Sequence, residues 1–507
     1  MHSGKLSSPA QAAAAEHPAL SLLHEMRGFG GGTVKTVGLS DVELLRFMEK
    51  DSALPDAIER AHVRWQGLRR EQPVLLTADE ADQISTLQAG FLNFYSPEAV
   101  NPYVALAAKG PWIVTSKGAV VHDSGGYGMM GFGHSPSEVL DALSRPLVMA
   151  NIMTASPSQL RFMTAIRRHI GQTRSGCPYD RFVCLNSGSE SVSMGLRIAD
   201  IHAKSMTQPG ARHAGRTIRG LSLKGGFHGR THRPAHFSDS TLAVYRRYLA
   251  SFEGDQSLLT AAPDDLEALA RAFEQAEADG VFIQCLLMEP VMGEGNPGRA
   301  IGRAFYDVAR QLTRRHGALL LVDSIQAGLR AHGVLSIVDY PGFEDCDPPD
   351  METYSKAINA GQYPLSILAL RAEAAGIYRR GLYGNTMTAN PRGLEVATEV
   401  LRQMTPEVQQ NIRDRGAELR QRLQALADEL GPECIRRVQG CGLLVSCELA
   451  PSYKAYGAGS VEEQLRIGGI GAVHGGRNAL RFTPHFRVTS EEISLIVEHL
   501  RKALSRR

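Results

Sequence analysis

Between residues 150 and 395, short apolar runs alternate with segments whose apolar residues recur at helical spacing. The runs at 181–185, 218–223, 282–288, 318–322 and 365–370 are nearer to continuous than to alternating. A strand covered by helices on both faces buries both sets of side chains. These runs therefore predict a mostly parallel sheet with helical crossovers. Several of them pass straight into polar or glycine-rich segments. Ligands in open α/β sheets bind beyond the carboxyl ends of the strands, so these segments are expected to converge on one site.

The flanks read differently. Residues 41–50 and 56–70 have helical spacing with charged faces, which predicts a mostly helical N-terminal extension over residues 1–95. No apolar strand precedes the glycine run Gly28-Phe29-Gly30-Gly31-Gly32, so a flexible turn is expected there and not a phosphate loop. After residue 395 come a long helical stretch (407–430), strand-like runs (442–449 and 479–482) and a final helix (490–504), together a small α+β domain. The expected division is 1–95 extension, 96–150 N-terminal part of the small domain, 151–395 large domain and 396–507 C-terminal small domain.

Composition narrows the function classes. A formal net charge of +2 on 507 residues gives no electrostatic footprint for nucleic acid, and the basic pairs Arg69-Arg70, Arg314-Arg315 and Arg506-Arg507 are scattered. Seven cysteines without paired spacing argue against a disulfide framework and against a zinc site. Cys184, Cys285 and Cys447 lie in apolar runs and are expected in the core. No uninterrupted apolar stretch can span a bilayer, and Glu16 and His17 interrupt the alanine run at 12–15 before it can form a secretory core. A cytoplasmic protein with no membrane or nucleic-acid partner is expected.

The chemistry-bearing segments follow the strands. The run 318–322 ends in Asp323, and Lys356 closes the segment Pro349-Asp350-Met351-Glu352-Thr353-Tyr354-Ser355-Lys356. A strand ending in Asp and a lysine in a small-residue loop fit a pyridoxal phosphate site. The lysine would hold the cofactor as a Schiff base, and the aspartate would pair with its pyridinium nitrogen. Asp323 equally suits a helix N-cap. Ser187 with Glu190 three residues on is a capping box; the helix start after it either binds a phosphate through free N–H groups or is an ordinary capped helix. Phe227, in Gly226-Phe227-His228-Gly229, is either a ring laid against a flat cofactor or a core aromatic, and His228 alone reads as a satisfied loop histidine. Glu289 and Glu294 are acid/base groups, gates or turn residues. The loop Asn385-Thr386-Met387-Thr388-Ala389-Asn390-Pro391 reaches a phosphate or caps the next helix.

Taken in order, the segments SGSE, FHG, EPVMGEG, DSIQ, Lys356 and NTMTANP resemble the class III aminotransferases of pyridoxal-phosphate fold type I, the ornithine, acetylornithine, 4-aminobutyrate and lysine aminotransferase group. Gly131-Phe132-Gly133-His134-Ser135-Pro136 resembles the family's glycine–His–x–Pro segment, and the likeness runs from near Lys109 to Pro484. The resemblance implies an α/β fold: a large domain whose mostly parallel sheet is flanked by helices, a small α+β domain and a helical extension. It implies that Gly188 and Ser189 bind the phosphate, Phe227 and Ile325 pack the two faces of the ring, Asp323 keeps the ring nitrogen protonated and Gln326 lies near the phenolic oxygen. Lys356 would be anchor and proton shuttle. Thr386 would reach the phosphate of a neighbouring subunit, which implies a homodimer with shared active sites. Arg481 would clamp a substrate carboxylate, and Glu294 would cover Arg481 between half-reactions. The implied reaction carries an amino group from an amino acid to an oxo acid, with 2-oxoglutarate as the expected acceptor.

Three departures touch the substrate side. Asp323 is followed by Ser324 where the family usually has glutamate, the stretch 327–333 keeps its glycines in an unusual pattern, and the extension is long. They motivate an alternative with the same cofactor: β- or γ-elimination and carbon–carbon bond formation in a specialised biosynthetic pathway.

Overall fold

In the computed structural model, which describes residues 17–29 and 31–505, helices Pro18–Gly28, Asp41–Met48, Ala53–Glu71, Pro73–Thr77 and Glu80–Gln88 build the extension. Ser40 starts the second of these with a reciprocal capping box to Glu43. The extension packs on the strands that follow it, β1 (Ala105–Lys109), β2 (Trp112–Thr115) and β3 (Val120–Asp123). Trp112 of β2 lies 5.1 Å, ring to ring, from Phe47 and donates its indole N–H to Asp51 at 2.6 Å. The Lys117 ammonium donates to the carbonyls of Gly31, Leu76 and Ala78 at 2.8–2.9 Å, so the glycine run meets a lysine of the same chain. Gly30, the alanine run at 12–15 and the Arg506-Arg507 pair lie outside the described residues.

The central sheet comprises β4 (Arg181–Leu185), β5 (Thr217–Leu223), β6 (Leu258–Ala261), β7 (Val281–Met288), β8 (Leu319–Asp323), β9 (Met351–Tyr354) and β10 (Ser366–Leu370), in the order β4-β10-β9-β8-β7-β5-β6. All pairings from β9 to β6 are parallel; β10 runs antiparallel to both of its neighbours. Every residue of β7 and β8 is buried, as the continuous apolar runs require of a sheet covered on both faces. Sequence reading misses β6 and β9. β9 reads as polar because Glu352 and Thr353 sit in it, yet both are fully buried.

After the central sheet come β11 (Ile435–Cys441), β12 (Leu444–Leu449), β13 (Ile470–Gly471), β14 (Val473–Gly475) and β15 (Ala479–Phe482). One antiparallel sheet has the order β11-β12-β15-β14, while β13 adds in parallel to β3 in the order β1-β2-β3-β13. That pairing ties residues before the central sheet to residues after it. Helices Pro406–Leu430 and Ser490–Ser505 complete this region. All seven cysteines are free, and no described helix is long and apolar enough to cross a membrane.

Candidate active site

Asp323 ends β8 and is 3% exposed. Burial without partners would be costly, and both of its oxygens are used: Oδ2 lies 2.8 Å from His228 Nδ1, and Oδ1 accepts the Ile325 N–H at 3.1 Å. Lys356 follows the neighbouring strand, β9, and has the left-handed backbone angle φ = 48°, unfavourable for a side chain of its size. Burial pulls its amine below the ordinary lysine value. Repulsion from Arg481 adds to this, and the carboxylates of Glu294, Asp323 and Glu289 only partly oppose it. A lysine desolvated in this way keeps more of its amine in the nucleophilic, proton-accepting form.

Around these two residues lies a cavity of about 760 Å³. Every site residue expected from the sequence lines it except Thr386: Gly188, Ser189, Phe227, Glu294, Asp323, Ile325, Gln326, Lys356 and Arg481. Gly188 and Ser189 open the helix Gly188–Thr207, and Ser187 caps it by accepting the Glu190 N–H at 3.3 Å. The other half of the expected capping box is displaced by one residue, because Glu190 accepts from the Asn186 N–H at 2.8 Å. A side chain at Gly188 would meet Ile325 Cδ1 at 2.7 Å, so the helix start and Ile325 press together only because that position is glycine. Gly128, at φ = 75°, plays the same part opposite: a Cβ there would meet Gln326 Oε1 at 3.1 Å and Lys356 Cδ at 3.3 Å. The loop that carries it is pinned by Asp123, which accepts the Gly125 and Gly126 N–H groups and holds His134 Nε2 at 2.9 Å.

Arg481, on β15, is 4% exposed. Its Nη1 pairs with Glu294 Oε2 at 2.8 Å and donates to the Gly293 carbonyl, while its Nε is buried without a partner. Burial raises the Glu294 carboxyl, but Arg481 outweighs it and holds the group below the ordinary glutamate value. Thr386 is exposed and lines a different cavity of about 950 Å³, where its carbonyl accepts from Asn151 Nδ2 at 3.1 Å.

Several residues matter more than their sequence context indicates. His228 is not an ordinary satisfied loop histidine. Its Nδ1 holds Asp323 while its Nε2 is buried and unpartnered. Glu289 accepts the Phe227 N–H at 3.0 Å and the Gly293 N–H at 2.7 Å, and so ties together the two loops that follow β5 and β7. Burial pushes its carboxyl up to about 7. Ser324, the departure after Asp323, donates at 2.6 Å to Glu352 of β9, which also takes the Tyr179 hydroxyl at 2.7 Å and the Ile337 N–H at 3.0 Å. The neighbouring strand thus supplies a buried carboxylate beneath the site. Arg330, from the other unusual stretch, is fully buried and donates to the carbonyls of Leu443, Pro484 and Gly128. Burial, with Arg481 nearby, lowers it to about 9. It staples the Gly128 loop to the segments that precede β12 and follow β15.

One other group of ligand-type side chains occurs among the described residues, His122, His485 and Glu492. Both imidazoles lie on Glu492 Oε1, at 3.0 and 2.8 Å, and Oε2 accepts the Thr489 N–H at 2.7 Å at the start of the last helix.

The family model for class III aminotransferases matches residues 94–504. The chain belongs to the class III aminotransferases. It is similar to acetylornithine aminotransferase of Xanthomonas campestris, 27% identical over 432 residues that cover 84% of this chain and 98% of the relative. It is similar also to that of Neisseria meningitidis, 25% identical over 421 residues covering 82% and 97%. Its fold resembles the solved ornithine aminotransferase of Toxoplasma gondii, with a TM-score of 0.71 at 23% identity over 86% of this chain and 97% of that one. It also resembles acetylornithine aminotransferase of Elizabethkingia anophelis, with a TM-score of 0.67 at 20% identity over 84% and 98%. The chain is a pyridoxal-phosphate-dependent aminotransferase with the α/β fold expected, acting on amino acid and oxo acid substrates. The elimination and bond-forming alternative has no support among these relatives.

Proposed function

We propose that the Lys356 cavity is where this class III aminotransferase works, and that Arg481 selects its substrates by their carboxylate. The observation that carries the reading is the meeting in one cavity of a desolvated lysine, a buried strand-end aspartate, a helix N-terminus and a buried arginine. The residues present fit pyridoxal phosphate. Gln326 Oε1 and His228 Nε2 are buried and unpartnered, and the helix start at Gly188 and Ser189 offers N–H groups to an anion. Gly188, Ser189, Phe227, Asp323, Ile325, Gln326 and Lys356 would hold the group. Bound there, it supplies an electron sink for charge developing on the substrate carbon.

The rest is done by the chain. Asp323, oriented by His228, would face the ring nitrogen of the bound group and favour its protonated form. Lys356 would hold the cofactor through its amine and would supply the base that moves the proton at the substrate carbon; its desolvation favours the basic form. Arg481 holds the substrate carboxylate, and Glu294 covers Arg481 when no carboxylate is there. The relatives are named for acetylornithine and ornithine, and the donor proposed here belongs to that class, a carboxylate-bearing amino acid, with 2-oxoglutarate as acceptor.

Thr386 is proposed to act across a homodimer. It is exposed, and Ile152 and Met153 beside it are 67% and 86% exposed, an apolar surface suited to a second copy. Residues 151–395 would form the cofactor domain, with 96–150 and 396–507 as the small domain and 1–95 as the extension. The free cysteines suit a reducing compartment, and the cytoplasm is the proposed location. The test is net amino transfer. Holoenzyme given a donor panel and 2-oxoglutarate should form glutamate. Consumption of donor into a product with a new bond, without glutamate, would overturn the reading.

A further inference from the structure

The Lys356 cavity shares Arg230, Glu294 and His474 with a second, polar cavity of about 880 Å³ on the side of the small domain. His474 is on β14, next to Val473, which pairs with Arg481 across the β14–β15 ladder. The imidazole is held from two directions. Its Nδ1 lies 3.0 Å from Glu462 Oε2, and Tyr456 stacks on the ring at 4.5 Å with the planes 21° apart. The backbone N–H of His474 donates to Glu462 Oε1 at 3.0 Å. Glu462 is 1% exposed and pairs with Arg466 at 2.5 Å, so the support is itself fixed. Only Nε2 is left without a protein partner among the described residues, on a side chain that is 30% exposed.

Nη1 of Arg481 is engaged by Glu294 Oε2 and the Gly293 carbonyl, so a substrate carboxylate that binds at Nη1 displaces Glu294. A carboxylate released beside a buried site needs a new cation or donor. The Glu294 backbone cannot travel far, since its carbonyl accepts the Gly476 N–H at 2.6 Å, just past β14. His474 borders the same two cavities as Glu294, and the residue after it, Gly475, packs on the Glu294 backbone, where an added Cβ would meet the Glu294 carbonyl at 3.1 Å.

We propose that His474, fixed by Glu462, receives the Glu294 carboxylate when an incoming carboxylate takes Arg481, and is a positioning residue for substrate-carboxylate binding. The inference rests on the reading of Arg481 as the carboxylate clamp. No bond between heavy atoms changes, but Nδ1 already faces the Glu462 carboxylate, so Nε2 can donate to Glu294 only by taking up a proton from the solvent in the polar cavity. With that proton, one ion pair is exchanged for two, Arg481 with the ligand and His474 with Glu294.

A double-mutant cycle on the holoenzyme tests it, read as the Kd of glutarate, a five-carbon dicarboxylate, by calorimetry. His474→Leu should weaken glutarate about tenfold. His474→Lys should restore binding to within about threefold, because it offers another cation. In a Glu294→Ala background, His474→Leu should change Kd by less than about twofold, since nothing is left to receive. An equal loss in both backgrounds, or no loss in either, would overturn the proposal. Glutarate binding needs no turnover. An intact cycle in an enzyme that makes no glutamate would therefore fault the proposed function and leave the His474 assignment standing.

Discussion

The two ends of the Lys356 cavity are built from different material. At one end, Asp323 and Lys356 follow neighbouring parallel strands of the central sheet, and the partners beneath them, His228, Ser324 and Glu352, are 0–2% exposed. At the other, Arg481 and His474 belong to β15 and β14, the last two strands of a small sheet, and Glu294 is 31% exposed on its side chain. At the first end, the buried carboxylates of Asp323 and Glu352 each have several hydrogen-bond partners. The second holds an ion pair between two side chains, one of which opens onto a polar cavity. A rigid end suits a cofactor that stays bound, and an exchangeable end suits substrates that come and go.

Damage at the two ends should therefore read differently. Lys356→Ala should lower amino transfer by about 10⁴-fold through kcat, measured as glutamate formed from 2-oxoglutarate. Arg481→Gln should instead raise KM for carboxylate substrates by about 10²–10³-fold and leave the visible absorption of the bound cofactor as in wild type. A kcat effect at Arg481 as large as that at Lys356 would erase the distinction.

The rigid end was largely legible in the chain. A continuous apolar run that stops in a single carboxylate, and a helix cap after another run, each mark a strand end, and strand ends in such a sheet share a site. What escaped were pairings made only in three dimensions. Glu352 is invisible because a polar run does not look like a strand until Ser324, Tyr179 and Ile337 are seen to satisfy it. His228 carries no signal beyond its glycine neighbours. The spacing of Glu289 and Glu294 alone favours turn residues, and the fold gives them different partners, the Phe227 and Gly293 N–H groups for one and Arg481 for the other. At the exchangeable end, Glu462 and His474 are twelve residues apart in unremarked sequence, and they meet only because β14 folds back beside the helix Val461–Ile467. Thr386 was named through the family resemblance, and in the single chain it is exposed and lines a cavity other than that of Lys356.

Two smaller effects sharpen the contrast. Glu289→Gln keeps one acceptor of the two that Phe227 and Gly293 use, and should weaken cofactor binding about tenfold, measured by equilibrium titration. The pH dependence follows from the raised carboxyl. Between the ordinary value, 4.5, and about 7, the folded chain keeps a proton that the unfolded chain has released, so stability falls as pH rises through that window and levels off above it. In calorimetry of the apoprotein, Glu289→Gln should remove that decline. Thr386→Ala should have the least effect, about threefold on cofactor affinity, and only in a sample that sediments as a dimer.

The most direct measurement of the central claim is a single-turnover count of amino groups. Holoenzyme is loaded with a carboxylate-bearing amino donor, freed of excess donor, and mixed with 2-oxoglutarate. The account predicts about one glutamate per Lys356 site, and none from Lys356→Ala. Donor consumed by the wild type with no glutamate released would contradict it.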